Sequence, residues 1–185
     1  MLEVEIKLAI GDASSEARKL EVLGARLAHP RALEVNVLLD LAGQPLGTRG
    51  AMLRVRTYGE RAVLTYKEPA PGPSGYKIRQ ELETPIPDGG GLVRILEASG
   101  FTRIWRYMKY RTVFEMDGVH VLLDETPIGN YVEIEGSRPA IDAAAARLGR
   151  TPADYITLSY RALYERRCAQ RGTVAGDMIF ETVTP

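Results

Sequence analysis

A chain of 185 residues, 45% of them hydrophobic, is long enough to bury one sizeable core and too short for two ordinary domains. Its 24 Lys and Arg balance 24 Asp and Glu, which excludes the overall basicity of a nucleic-acid binder and leaves any charge-based function to local arrangement. Cys168 is the only cysteine and His29 and His120 are the only histidines, which excludes an internal disulfide and leaves too few ligands for a Cys/His zinc site.

In chain order, Leu2 to Leu8 alternates apolar and charged residues and predicts a strand. The same alternation is unlike a signal peptide or a membrane span, so a cytoplasmic protein without membrane contact is expected. Asp12 or Ser14 then caps a helix expected to run through about Leu27, with Ala17, Leu20, Leu23 and Leu27 on one face. Four strands are predicted next, at residues 33–40, 51–58, 62–67 and 76–84, separated by AGQPLGTRG, YGE and EPAPGPSG, whose Gly and Pro suit turns. A helix over 91–99 ends at Gly100, and strands follow at 101–116, 119–126 and 130–136. The end is helical, with predicted helices at 142–148 and from Ser159 to about Arg171. A single domain is expected over 1–171, followed by a loose tail from Gly172 to Pro185.

Residues i, i+2 and i+4 of a strand share one face. Glu3, Glu5 and Lys7 therefore point together, as do Arg54 and Arg56, then Lys77, Arg79, Glu81 and Glu83, then Lys109 and Arg111, and finally Glu133 and Glu135. For a single strand such a face is ordinarily the solvated side of a sheet. Here the signs are sorted: the chain's ends carry Glu-x-Glu pairs, and strands between them carry Arg-x-Arg and Lys-x-Arg with no opposite charge interleaved. If the strands close into a barrel with these faces inward, the charges line a tunnel. Unpaired charge in such a place costs several kcal/mol per ion, so the tunnel should be wet and matched by a charged ligand. A Glu-x-Glu pair sets two carboxylates about 6.5 Å apart, which suits hard cations such as Mg²⁺ or Mn²⁺, while Arg and Lys suit phosphoryl oxygens.

The ordered segments LEVEIK, LRVR, LTYK, KIRQELE, KYR, LLDETPIGNYVEIEG and DYITLSYRALY resemble the CYTH superfamily, also called triphosphate tunnel metalloenzymes. The resemblance runs from residue 1 to about 165 and implies an α+β fold, a closed antiparallel eight-stranded β-barrel with helices packed outside. It implies metal ligands at Glu3, Glu5, Glu133 and Glu135, with Asp124 as a further ligand or a water-orienting group. It implies phosphate contacts at Lys7, Arg54, Arg56, Lys67, Arg79, Lys109 and Arg111, of which Lys7 and Arg56, with Asp124, are the expected catalytic residues. Glu81 and Glu83 are expected to hold neighbouring cations, and Lys77, beside a Gly-Pro loop, to face solvent. Ser159 and Tyr160 need no catalytic explanation as an N-cap and a core aromatic.

The resulting expectation is Mg²⁺- or Mn²⁺-dependent cleavage of a phosphoanhydride bond in a small-molecule triphosphate by a monomer or homodimer, with cyclisation of ATP as the alternative reaction. A non-catalytic polyphosphate or nucleotide sensor is disfavoured by the two Glu-x-Glu pairs, and a lipocalin-like carrier by the charged faces. Arg111→Ala is expected to weaken substrate binding with little effect on folding, since a charged interior should be wet.

Overall fold

The computed structural model describes residues 1–181. Eight antiparallel strands close into a barrel: β1 (Leu2–Ile10), β2 (Arg26–Leu41), β3 (Met52–Tyr58), β4 (Arg61–Pro69), β5 (Lys77–Ile86), β6 (Phe101–Met116), β7 (Val119–Thr126) and β8 (Gly129–Glu135). Around the barrel they follow the order β1-β5-β4-β3-β2-β6-β7-β8. Closure removes every free sheet edge and commits each strand to one inward and one outward face. The α+β barrel expected from the sequence is therefore the fold.

Most apolar strand residues occupy the outward face. Ile6 and Leu8 of β1, Val121 and Leu123 of β7, and Val132 and Ile134 of β8 form one buried cluster beneath α1 (Ala13–Val22) and α4 (Arg138–Arg147). Leu20 from α1 and Ile141, Ala144 and Ala145 from α4 complete it, each shielded from solvent. Ile134 alone secures roughly 2–5 kcal/mol against truncation to Ala. A smaller cluster of Leu39, Val55 and Val93 lies under α3 (Gly89–Ala98). A third cluster, with Leu38, Trp105, Tyr107, Ile128, Tyr160 and Met178, gathers where α5 (Tyr160–Gln170) meets the barrel end.

The helices differ from expectation at their ends. Asp12 caps α1 by accepting a 2.6 Å bond from the Ser15 amide, but α1 stops at Val22 because Gly24 turns left-handed at φ 83°, and Leu27 instead belongs to β2. Helix α4 begins at Arg138, four residues before its expected start, because Pro139 in the first turn favours initiation. A four-residue helix, α2 (Pro45–Thr48), was not predicted. Asp40 holds it by accepting from the amides of Leu46 and Gly47 at 3.2 and 2.9 Å.

The start of the tail is docked rather than loose. Met178 exchanges backbone bonds with Arg106 and Met108 of β6 at 3.0 and 2.9 Å, and the Trp105 indole donates to the Gly176 carbonyl at 3.0 Å. The Met178 side chain is 1% exposed, so apolar burial adds to these bonds. Residues 182–185 of the expected loose segment lie outside the described residues. No helix among the described residues is long and apolar enough to cross a membrane.

Candidate active site

The inward faces enclose a cavity of about 750 Å³. Glu3, Glu5 and Lys7 line it from β1, Arg54 and Arg56 from β3, Lys67 from β4, Arg79 from β5, Lys109 and Arg111 from β6, and Glu133 and Glu135 from β8. Asp124 of β7 is fully buried among them. Every residue singled out for the site thus meets in one place, because period-two alternation on a closed barrel leaves polar side chains nowhere else to converge. Lys77 corrects the sequence reading: strand pairing sets it opposite Glu5, and its ammonium reaches that carboxylate inside the cavity instead of solvent.

The five carboxylates expected to bind metal separate into two groups. Oxygens of Glu3, Glu5 and Glu135 lie within 4.8 Å of one another. Lys67 donates to both oxygens of Glu3 at 2.8 Å, and Lys77 pairs with Glu5. Glu135 has no ion-pair partner among the described residues. Burial, reinforced by Glu3, Glu5 and Glu133 and opposed by Arg111, pushes its carboxyl up to about 8. Repulsion of this kind is what a hard divalent cation relieves, so the donor set fits Mg²⁺ or Mn²⁺.

Glu133 and Asp124 are instead claimed by cations. Lys7 meets Glu133 at 2.8 Å, Arg111 contacts both Glu133 and Asp124, and Lys109 reaches Asp124 at 2.8 Å. Burial alone would raise Glu133, but Lys7, Lys109 and Arg111 overrule it and hold the carboxyl well below its usual range. In this arrangement Glu133 and Asp124 orient three cations and stand apart from the cluster of Glu3, Glu5 and Glu135. Glu81 and Glu83 behave as expected, holding Lys67 at 3.0 Å and Arg56 at 2.9 Å. Arg79 is only half-buried and donates to the Gly50 carbonyl at 2.6 Å, so it lies on the cavity wall already committed to backbone.

Sequence reasoning missed several members. Glu34 lies between Arg56 at 3.4 Å, Lys109 at 3.6 Å and Arg111 at 3.5 Å. With Asn36 it obeys the same alternation on β2, so the signal was present. Tyr160 donates its hydroxyl to Asp124 at 2.7 Å, and its ring lies 4.5 Å from the Lys7 ammonium and 5.0 Å from that of Lys109. Ser159 is the α5 N-cap, as expected, but Tyr160 belongs to the site.

Glu34 gives the acid limb of stability a specific origin. Burial would raise its carboxyl, yet Lys109, Arg111, Arg56 and Arg54 bring it down from 4.5 to about 2. A depressed folded value stabilises the fold above pH about 4.5 and is lost as pH falls from there through about 2. The contribution is on the order of 3 kcal/mol. Urea unfolding at pH 7 and pH 3 should therefore show the wild type losing stability faster than Glu34→Gln, and parallel losses would refute this origin.

A model of the CYTH domain matches residues 1–154. The chain belongs to the CYTH family. A Methanocaldococcus jannaschii protein provisionally named an adenylate cyclase is 25% identical over 138 residues, covering 74% of this chain and 78% of its own length. A Vibrio parahaemolyticus structure, also provisionally named an adenylate cyclase, matches with a TM-score of 0.76 at 19% identity over 88% of this chain and 97% of its own. A Hippeastrum protein provisionally named an adenylyl cyclase, and described as revealing a dominant triphosphatase activity, matches with a TM-score of 0.66 at 19% identity over 94% of this chain and 97% of its own. At such identities these two CYTH-like structures support the fold alone, and Tyr160 lies beyond the part of the chain that the CYTH model covers.

Proposed function

We propose that this CYTH protein cleaves a phosphoanhydride bond of a small-molecule triphosphate inside its barrel. One observation carries the reading: a three-carboxylate cluster and a group of Lys and Arg side chains line one cavity inside the barrel. Glu3, Glu5 and Glu135 would hold Mg²⁺ or Mn²⁺. Such an ion supplies charge neutralisation at the phosphoryl oxygens and a lower barrier for the attacking oxygen.

The remaining work falls to the chain. Lys7, Arg54, Arg56, Lys67, Lys109 and Arg111 grip phosphoryl oxygens and stabilise charge as it moves onto the leaving group, which is most of what phosphoryl transfer asks of a protein. Asp124 and Glu133 keep Lys7, Lys109 and Arg111 aimed inward, so these cations need little reorganisation as the reaction proceeds. Hydrolysis by water at the terminal phosphorus is the leading reaction, supported by the triphosphatase activity described for the Hippeastrum relative. Attack by a ribose hydroxyl on the innermost phosphorus, releasing pyrophosphate, is the second, supported by the provisional cyclase names of the relatives.

The deciding assay incubates the protein with tripolyphosphate, thiamine triphosphate and ATP, each with Mg²⁺ or Mn²⁺, and identifies the products. Metal-dependent release of phosphate is expected. Cyclic AMP with pyrophosphate would select the second reaction, and inertness toward all three substrates would reject the proposal.

A further inference from the structure

On the triphosphate reading of this tunnel, we infer that Tyr160 is a positioning residue: its ring is the uncharged surface that holds the Lys7 and Lys109 ammonium groups in place to meet the phosphate chain. Tyr160 begins α5 and lies beyond residues 1–154, so it comes from outside the strands that supply the cations.

Two ammonium groups share one ring. The Lys7 nitrogen lies 4.5 Å from the Tyr160 ring centroid and the Lys109 nitrogen 5.0 Å, both within reach of a cation–π contact. The phenol hydroxyl donates to Asp124 at 2.7 Å, on the same oxygen that accepts from Lys109 at 2.8 Å, which fixes the ring beside that lysine. Among the described residues Lys7 ion-pairs with Glu133 alone, and an ammonium has three donors, so donors are left for phosphoryl oxygens. A carboxylate in place of the ring would hold the ammonium groups more firmly, but it would also repel a polyanion. A ring face holds cations without that repulsion, and narrowing the rotamers of two flexible lysines leaves less reorganisation for the reaction itself.

The ring is itself anchored from several sides. The β1–β5 register ends where Glu5 pairs with Lys77, and Ile156 then takes up β1 by exchanging backbone bonds with Lys7 at 3.0 and 2.8 Å. The segment leading into α5 therefore grips the Lys7 backbone while Tyr160 holds its ammonium. Ser159 caps α5 by accepting from the Ala162 amide at 3.2 Å, and Arg167 donates to the Ile128 carbonyl at 2.8 Å. The Tyr131 ring meets Tyr160 edge-on, 5.5 Å between centroids. Tyr160 lines the cavity yet is buried, so its contacts with the lysines form where little water screens them.

The test compares Tyr160→Phe, which keeps the ring, with Tyr160→Leu, which removes it, in the full chain. With Mn²⁺ and the triphosphate that the wild type cleaves fastest, Tyr160→Phe should stay within about threefold of the wild-type kcat and KM, whereas Tyr160→Leu should lower kcat at least about tenfold. If thermal unfolding shows Tyr160→Leu unfolded, Tyr160→Met replaces it. A second readout needs no turnover. Lys7, Lys19, Lys67, Lys77 and Lys109 are the only lysines, so ¹³C-lysine labelling gives few signals, and Lys7→Arg and Lys109→Arg assign the two that matter. Those two should be ring-shifted upfield in the wild type and in Tyr160→Phe, and lose that shift in Tyr160→Leu. Wild-type turnover in Tyr160→Leu, equal loss in Tyr160→Phe, or lysine signals that Tyr160→Leu leaves unmoved overturns the inference. If the wild type cleaves no triphosphate, the proposed reaction fails separately, and the positioning of the two ammonium groups stands or falls on the lysine signals.

Discussion

Replacing Glu135 by Gln should lower turnover at least about 100-fold while leaving the barrel folded. The two halves of this expectation have one cause. Glu135 faces Glu3 and Glu5 without an ion-pair partner among the described residues, and burial already raises its carboxyl to about 8. An isosteric amide therefore breaks no bridge and replaces a carboxyl that burial already disfavours as an anion, so thermal unfolding should change little. The same amide is a poor ligand for a hard cation, so catalysis and any stabilisation by Mn²⁺ should both be lost. Measured side by side, Mn²⁺-dependent rates and unfolding temperatures separate a metal ligand from a structural carboxylate. Wild-type turnover in the variant would remove Glu135 from the metal site.

Arg111→Ala should behave in the opposite way, costing about 3–5 kcal/mol of stability as well as activity. Arg111 is 7% exposed and its guanidinium touches Asp124, Glu133 and Glu34, so its loss leaves three buried carboxylates short of a cation. This corrects the expectation, drawn from the sequence, that the substitution would spare folding. That expectation treated the interior as uniformly wet, whereas the structure closes the deep part of the tunnel with ion pairs. Urea unfolding at neutral pH checks the point, and a midpoint equal to the wild type would show that these pairs contribute nothing net.

Much of the barrel was legible because most strands repeat the same two-residue period and several carry pairs of like charge on one face. The limits were equally physical. Leu20, Leu23 and Leu27 keep helical spacing across Gly24, and only the left-handed turn there shows that Leu27 starts a strand. Lys77 sits beside a Gly-Pro loop in sequence, but its place inside follows from pairing with β1, about 70 residues away, which no local pattern encodes. Tyr160 satisfied a local explanation as the first residue of a capped helix, and its bond to Asp124 exists only once α5 closes on the barrel. Glu34 and Asn36 were within reach, since they alternate with Val35 and Val37, but a strand recognised by its aliphatic content drew attention away from its polar face. The division of the carboxylates was beyond any sequence reading, because Glu133 and Glu135 are equivalent by alternation and differ only in which cations stand opposite.

The most direct measurement is an anomalous difference map from crystals grown with Mn²⁺ and tripolyphosphate. The account predicts a manganese peak among Glu3, Glu5 and Glu135, with phosphate density running from it toward Lys7, Lys109 and Arg111. Manganese bound only on the outer surface, with the tunnel free of phosphate, would contradict it.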